Sequence, residues 1–172
     1  TIGRRVTPFF TERGVGYPFT PKNSALLDRA CLATFTAFFI LKVFTPWTAA
    51  AALFALATAA CNGWRLAGIW YRPLLWSIHL AFAAMIFGFL LFGSQLFWPV
   101  VSDTLALHAL ALSGIGLLTL SMMGRVSLGH SGRNIHEPPR LLVAGLWLVC
   151  AAFVCRVILP LTVPAQMMLW VA

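Results

Sequence analysis

Leu105-Ala-Leu-His-Ala-Leu-Ala-Leu-Ser-Gly-Ile-Gly-Leu-Leu-Thr-Leu120 carries no carboxylate, lysine or arginine, and Ser121-Met-Met-Gly-Arg-Val-Ser-Leu-Gly-His-Ser-Gly-Arg133 follows it directly. About 20 predominantly apolar residues cross the roughly 30 Å hydrocarbon core of a bilayer. The first stretch is therefore predicted to be the body of a transmembrane helix. Gly124 is free to take the left-handed conformation that ends helices, and Arg125 then marks the passage out of hydrocarbon. Gly129, Gly132 and Arg133 continue as a polar loop, and Pro138-Pro139 restart the chain as a further apolar segment. A plain membrane loop needs only small or polar residues. This one has two guanidiniums, two hydroxyls and an imidazole within the nine residues from Arg125 to Arg133, a density that suggests a site.

The rest of the chain fits a membrane protein. Its residues are 60% hydrophobic and 9% charged, and its mean hydropathy is +0.89, outside the range of soluble domains. Five segments are long enough to span: roughly Leu26–Phe44, Trp47–Gly63, Pro73–Gly93, Ser102–Met123 and Arg140–Leu161. A sixth begins near Pro164 and is cut off at Ala172. The predicted fold is an all-α polytopic membrane protein: one transmembrane helical domain over 1–172, with five complete transmembrane helices plus the start of a sixth. Residues 1–25 form an irregular interfacial lead-in, where Pro8, Pro18 and Pro21 prevent a long helix. The signature loop covers 121–139. The chain starts at Thr1 with no charged-then-apolar signal segment, as expected of a piece of a longer protein. Asn23 and Ser24 are N-cap residues for the first span, and Ser102 with Asp103 for the fourth; Pro138-Pro139 open the fifth. Trp47, Trp64, Trp70, Tyr71, Trp76 and Trp98 fall near span ends, as an interfacial aromatic belt requires. The alanine-rich second span and the fourth, with Ser113, Gly114 and Gly116, are expected inside the bundle, because small residues let helices approach closely in lipid.

A net charge of +8 invites a nucleic-acid reading, but its distribution argues against one. Arg4, Arg5, Arg13, Lys22, Arg29, Arg65, Arg72, Arg125, Arg133 and Arg140 fall on one side of the predicted membrane, and only Lys42 and Arg156 on the other. Lysine and arginine accumulate on the cytoplasmic side. The N-terminus and loop 124–139 are therefore predicted to be cytoplasmic. The basic excess is a topology signal helped by attraction to anionic lipid. Membrane lipid is the expected partner, and nucleic acid is not.

The run Met122 to Arg133 resembles the signature loop of the NnrS family, bacterial polytopic membrane proteins described as containing heme and copper and linked to the response to nitric oxide. Gly3-Arg-Arg-Val-Thr-Pro-Phe-Phe-Thr11, Trp76-Ser-Ile-His-Leu80 and Gly88-Phe89 agree in order with the family's C-terminal half. The resemblance implies an integral membrane heme- and copper-binding protein involved in nitric-oxide metabolism or resistance to nitrosative stress. Nitric oxide or a related small molecule would be its ligand, and the remaining helices of the full-length protein would be its partners. Enzyme, transporter and sensor all stay open.

His79 and His108 lie inside predicted spans, where ionisable residues are costly unless they face the interior and have partners. Each is either a cofactor ligand, imidazole being the usual axial ligand of heme iron, or a neutral histidine hydrogen-bonding across helices. Counted at 1.5 Å per residue from opposite faces, the two differ by ~12 Å in height, so one shared heme is disfavoured. Arg125 and Arg133 could reinforce a nest of loop N–H groups around a heme propionate, a phosphate or a lipid headgroup, or simply anchor the span. Met122 and Met123 offer soft thioethers to copper beside His130, or are packing residues. His136 reads as solvated. Arg156 snorkels to the far interface. Cys31, Cys61, Cys150 and Cys155 sit in spans without ligand spacing and read as buried free thiols. The four carboxylates, Glu12, Asp28, Asp103 and Glu137, form no pair inside the bilayer. No phosphate-binding Gly-rich loop and no nucleophile elbow is present. The alternative function is a non-redox transporter or channel for a small anion or metal ion, with His79, His108 and Arg156 along the pathway.

Overall fold

Apolar runs of hydrocarbon length can satisfy their backbone only as helices or closed barrels, and here they form helices. A computed structural model of the chain describes residues 25–45, 50, 53, 57, 71–95, 97, 98 and 101–162, with Leu27 and Ser113 placed by their backbone alone. Among them run α1 (Ala25–Phe44), α2 (Pro73–Ser94), α3 (Asp103–His130) and α4 (Arg140–Thr162). The π-helical stretches Leu110–Leu117 and Val154–Ile158 lie within α3 and α4. No strand occurs among the described residues. α2, α3 and α4, of 22, 28 and 23 residues, are long and apolar enough to cross a membrane. α1 is also helical for 20 residues but carries Asp28, Arg29 and Lys42. The predicted second span, apart from residues 50, 53 and 57, the start of a sixth, the lead-in before Ala25 and the caps Asn23 and Ser24 lie outside the described residues.

The helix starts follow their sequence signals. Pro73 opens α2, the Ser102 hydroxyl accepts from the Leu105 N–H at 3.2 Å, and Pro139 precedes α4. The expected end of the fourth span does not hold. α3 runs through Gly124 and stops after His130. There the Arg133 N–H donates to the Leu128 carbonyl at 3.0 Å and the Gly132 N–H to the Gly129 carbonyl at 3.3 Å, with Gly132 at φ +67°. That is a Schellman cap with glycine in the left-handed position. The polar connection is therefore 131–139 rather than a loop beginning at Gly124. At 1.5 Å per residue, 28 residues span about 42 Å, more than the hydrocarbon needs.

Gly124 serves packing instead. A Cβ built on it would stand 2.8 Å from Leu142 Cδ2 of α4. Gly88 plays the same part between α2 and α3, where a Cβ would lie 2.8 Å from Leu110 Cδ2 and 3.3 Å from the Leu110 backbone nitrogen. Farther along, Met85 Sδ lies 3.3 Å from the Cβ position of Gly114. The hydroxyls of Ser77 and Ser121 then meet at 2.8 Å. From Gly88 back to Ser77 on α2, and from Leu110 forward to Ser121 on α3, is eleven residues each, so the two helices run antiparallel in constant register.

α2 is the most enclosed of the three, with 61% of its apolar window buried, against 29% for α3 and 11% for α4. The fourth span, expected inside on account of its small residues, is thus only partly enclosed. One core cluster gathers Phe38, Phe89, Phe92, Leu105 and Val157, and a second gathers Leu74, Trp76, Leu117, Leu128 and Leu146. α1 is seated by Phe38, whose ring lies 5.5 Å from Phe89 and 5.4 Å from Phe92. At that end Lys42 pairs with Asp103 at 2.6 Å, and Gln95 donates to the same oxygen at 2.9 Å. At the other end Arg72 donates to the His136 carbonyl at 3.3 Å, which ties the 131–139 connection to the start of α2.

Gly88→Ala should destabilise the full-length protein by about 1–2 kcal/mol, overpacking outweighing the gain in helix propensity. Gly124→Ala, which meets only the mobile end of Leu142, should be close to neutral; thermal unfolding of both variants in one detergent reads the difference. A double-mutant cycle on Ser77→Ala and Ser121→Ala should give a coupling of about 0.6 kcal/mol, the usual size for hydrogen bonds between membrane helices.

Candidate functional site

Burial of polar atoms in an apolar bundle is the first guide to a site. Among the described residues the buried polar or charged ones are Asp28, Ser77, His79, Ser121 and Arg125. Four of these five sit on the α2–α3 pair, within the N-terminal part of α2 and the C-terminal part of α3. Ser77 and Ser121 are fully buried, and the Ser121 hydroxyl also lies 2.6 Å from the Leu117 carbonyl. Sequence reasoning overlooked both serines. A serine in an apolar run looks like a small packing residue, and only the register of two helices reveals the pair.

His79 is 8% exposed, and its Nδ1 lies 2.9 Å from the Leu75 carbonyl one turn earlier. A carbonyl oxygen only accepts, so Nδ1 carries the proton, and in the neutral ring Nε2 keeps its lone pair. A backbone carbonyl fixing one ring nitrogen is the usual support for a histidine that ligates a metal through the other. His108 is half-buried in the first turns of α3. Its Nδ1 is the one buried side-chain nitrogen or oxygen among the described residues without a hydrogen-bond partner. Such an orphan in low dielectric is expensive and suits a group held from outside the described residues. In the α2–α3 register His79 stands level with Thr119, and His108 level with Leu90. The two imidazoles are therefore about eleven residues, or ~17 Å, apart along the bundle. They are not brought together.

Arg125, expected at the exit from hydrocarbon, is on α3 and 9% exposed, level with the start of α2. Arg133 is exposed just past the cap. The N–H groups of Ser131, Gly132 and Arg133 all donate to helix carbonyls. They cap α3 and are not turned toward an anion, so the backbone nest expected there is not formed by these three. Met122 is half-buried, while Met123 and His130 are exposed. Met123 and His130 lie on one face of α3 but two turns, ~10 Å, apart, too far to bind one ion together. His136 is exposed, as its sequence context suggested.

No three of histidine, cysteine, aspartate and glutamate converge on one point among the described residues. A site held wholly by such a cluster is therefore absent from this part of the chain, whereas a cofactor needing one axial imidazole is compatible with it. Cys31 is buried and Cys150 half-buried, but Cys155 is exposed, against the expectation that all were buried. Cys61 lies outside the described residues. Arg156 sits in the π-helical stretch of α4, half-buried.

No curated protein and no solved structure matches the chain. The family model described as NnrS protein matches residues 1–172 of the chain, which accordingly belongs to the NnrS family.

Proposed function

We propose that this NnrS-family membrane protein holds heme and copper and serves nitric-oxide metabolism or resistance to nitrosative stress. The observation that carries the reading is His79, a buried imidazole with Nδ1 committed to the Leu75 carbonyl and Nε2 left as the lone-pair nitrogen. His108, with its orphaned Nδ1, supports a second, separate ligand position. Heme held by His79 would supply an iron centre able to bind a small ligand. The chain's own contribution is to orient the imidazole, exclude water and keep the ring neutral. Arg125 and Arg133, near one end of α3, are the candidates to meet heme propionates. Copper would draw on Met122, Met123 or His130 singly, with its other donors outside the described residues. The clustering of Arg72, Arg133 and Arg140 near one end supports a cytoplasmic 131–139 connection in a bacterial inner membrane.

The visible spectrum of the full-length protein tests the reading. The wild type should show a heme band, and His79→Ala and His108→Ala should each shift or diminish it. A colourless wild type, or a band unchanged in both variants, overturns the heme assignment. A colourless protein with histidine-dependent uptake of a small anion or metal ion would instead establish a transporter. Metal analysis should show less bound copper in His130→Ala or Met123→Ala.

A further inference from the structure

Between α2, α3 and α4 lies a space of about 220 Å³ lined by aliphatic and aromatic side chains, Val149 among them, and by the Cys150 thiol. Leu80 and Ala84 of α2 form one wall, Leu112 and Leu117 of α3 the second, and Phe153 and Ile158 of α4 the third. We propose that this space is a binding site for one small, uncharged molecule of low polarity, up to about the size of benzene. The proposal stands independently of the heme reading, since neither His79 nor His108 lines the space.

The scarcity of polar lining sets the class of guest. A buried water needs two to four polar partners, and this space offers only the weakly hydrogen-bonding Cys150 thiol, so it does not hold water. Volume sets the size. An apolar protein cavity of about 150 Å³ accepts benzene or xenon, and this one is larger. An unfilled apolar space forfeits dispersion contacts around its whole surface, and a guest restores them.

The walls do not readily collapse. α4 is held on both sides of the space: Leu146 before it and Val157 within its far edge are fully buried. Both π-helical stretches contribute to the lining, Leu112 and Leu117 from one and Val154 and Ile158 from the other. A π turn is wider than an α turn and sets its side chains back from where an unbroken α-helix would carry them. Pro160 accounts for the π stretch in α4. It has no N–H for the Arg156 carbonyl, and its ring crowds that carbonyl. Entry is lateral, because Val154 at the rim is 47% exposed on the outer face of α4, where apolar solutes concentrate in the bilayer.

Xenon is the probe, and 129Xe NMR of the full-length protein in nanodiscs is the measurement. Beyond the response of empty nanodiscs of the same lipid, the protein should add a saturable xenon shift that benzene competes away. Ala84→Phe fills the space from α2 and Val149→Phe from α4; each should abolish the saturable part. If one variant fails to fold, the other and the benzene competition decide. A response equal to that of empty nanodiscs overturns the proposal, and means that an acyl chain or another segment of the full-length chain fills the space. So does a saturable shift that survives in a folded filling variant.

Discussion

Hydrocarbon offers no partner to a polar group, so each one carried into it must be satisfied by the protein itself. The backbone meets this constraint by forming helices. The side chains meet it mostly by bonding back to their own helix: Thr34 to Ala30, Ser94 to Leu91, Ser121 to Leu117 and His79 to Leu75. This local solution leaves helix faces free to pack, and it explains how polar residues occur in apolar runs without marking a pathway. It also gives weight to the exception. His108 sits one turn into α3 with a buried ring nitrogen that no described residue satisfies.

Packing in lipid has to come from shape, because lipid tails are as apolar as leucine. Here shape is set by the glycines at helix crossings. Gly88 admits Leu110, and Gly124 admits Leu142, which fixes α2 against α3 and α3 against α4. Once Gly88 and Leu110 are in contact, the antiparallel register carries Ser77 to Ser121 without further specification. The π-helical stretch of α3 begins at Leu110, the residue pressed against Gly88. Close approach at one end of the stretch and open space beside the rest of it are two consequences of one crossing.

The helical, membrane-spanning character of the chain was legible because it depends on composition and run length, and these need no partner. Helix starts were legible for the same reason: Ser102, Pro73 and Pro139 act on their own next few residues. The end of α3 was misjudged because Gly124 and Gly132 are chemically the same residue, and their roles differ only through neighbours. Gly124 faces Leu142 of another helix. Gly132 follows Leu128, which is buried in a core cluster against which Ile135, just past the cap, also packs. Such an apolar contact across a glycine is the local mark of a Schellman end and could have decided between them. Arg125, placed at the exit from hydrocarbon by its charge, is level with the start of α2, while α3 continues past it and keeps it buried. The depth argument separating His79 from His108 needed only the rise per residue, and the register widens that separation. The serine pair and the apolar space arise between helices and left no trace in any single segment.

His79 and the apolar space lie on different sides of α2. At 100° per residue His79 lies about 200° round the helix from Ser77 and about 140° from Ala84. Ser77 and Ala84 face α3 and the apolar space, so the ring of His79 points away from both. α2 is thus a partition. One side is bound to α3 and α4 through glycine, serine and aliphatic contacts, and the other presents an imidazole whose tautomer is already fixed. A group bound at His79 would meet neither the apolar space nor the Ser77–Ser121 bond. Changes on either side can therefore be separated in their effects, because α2 stands between them with most of its apolar window buried.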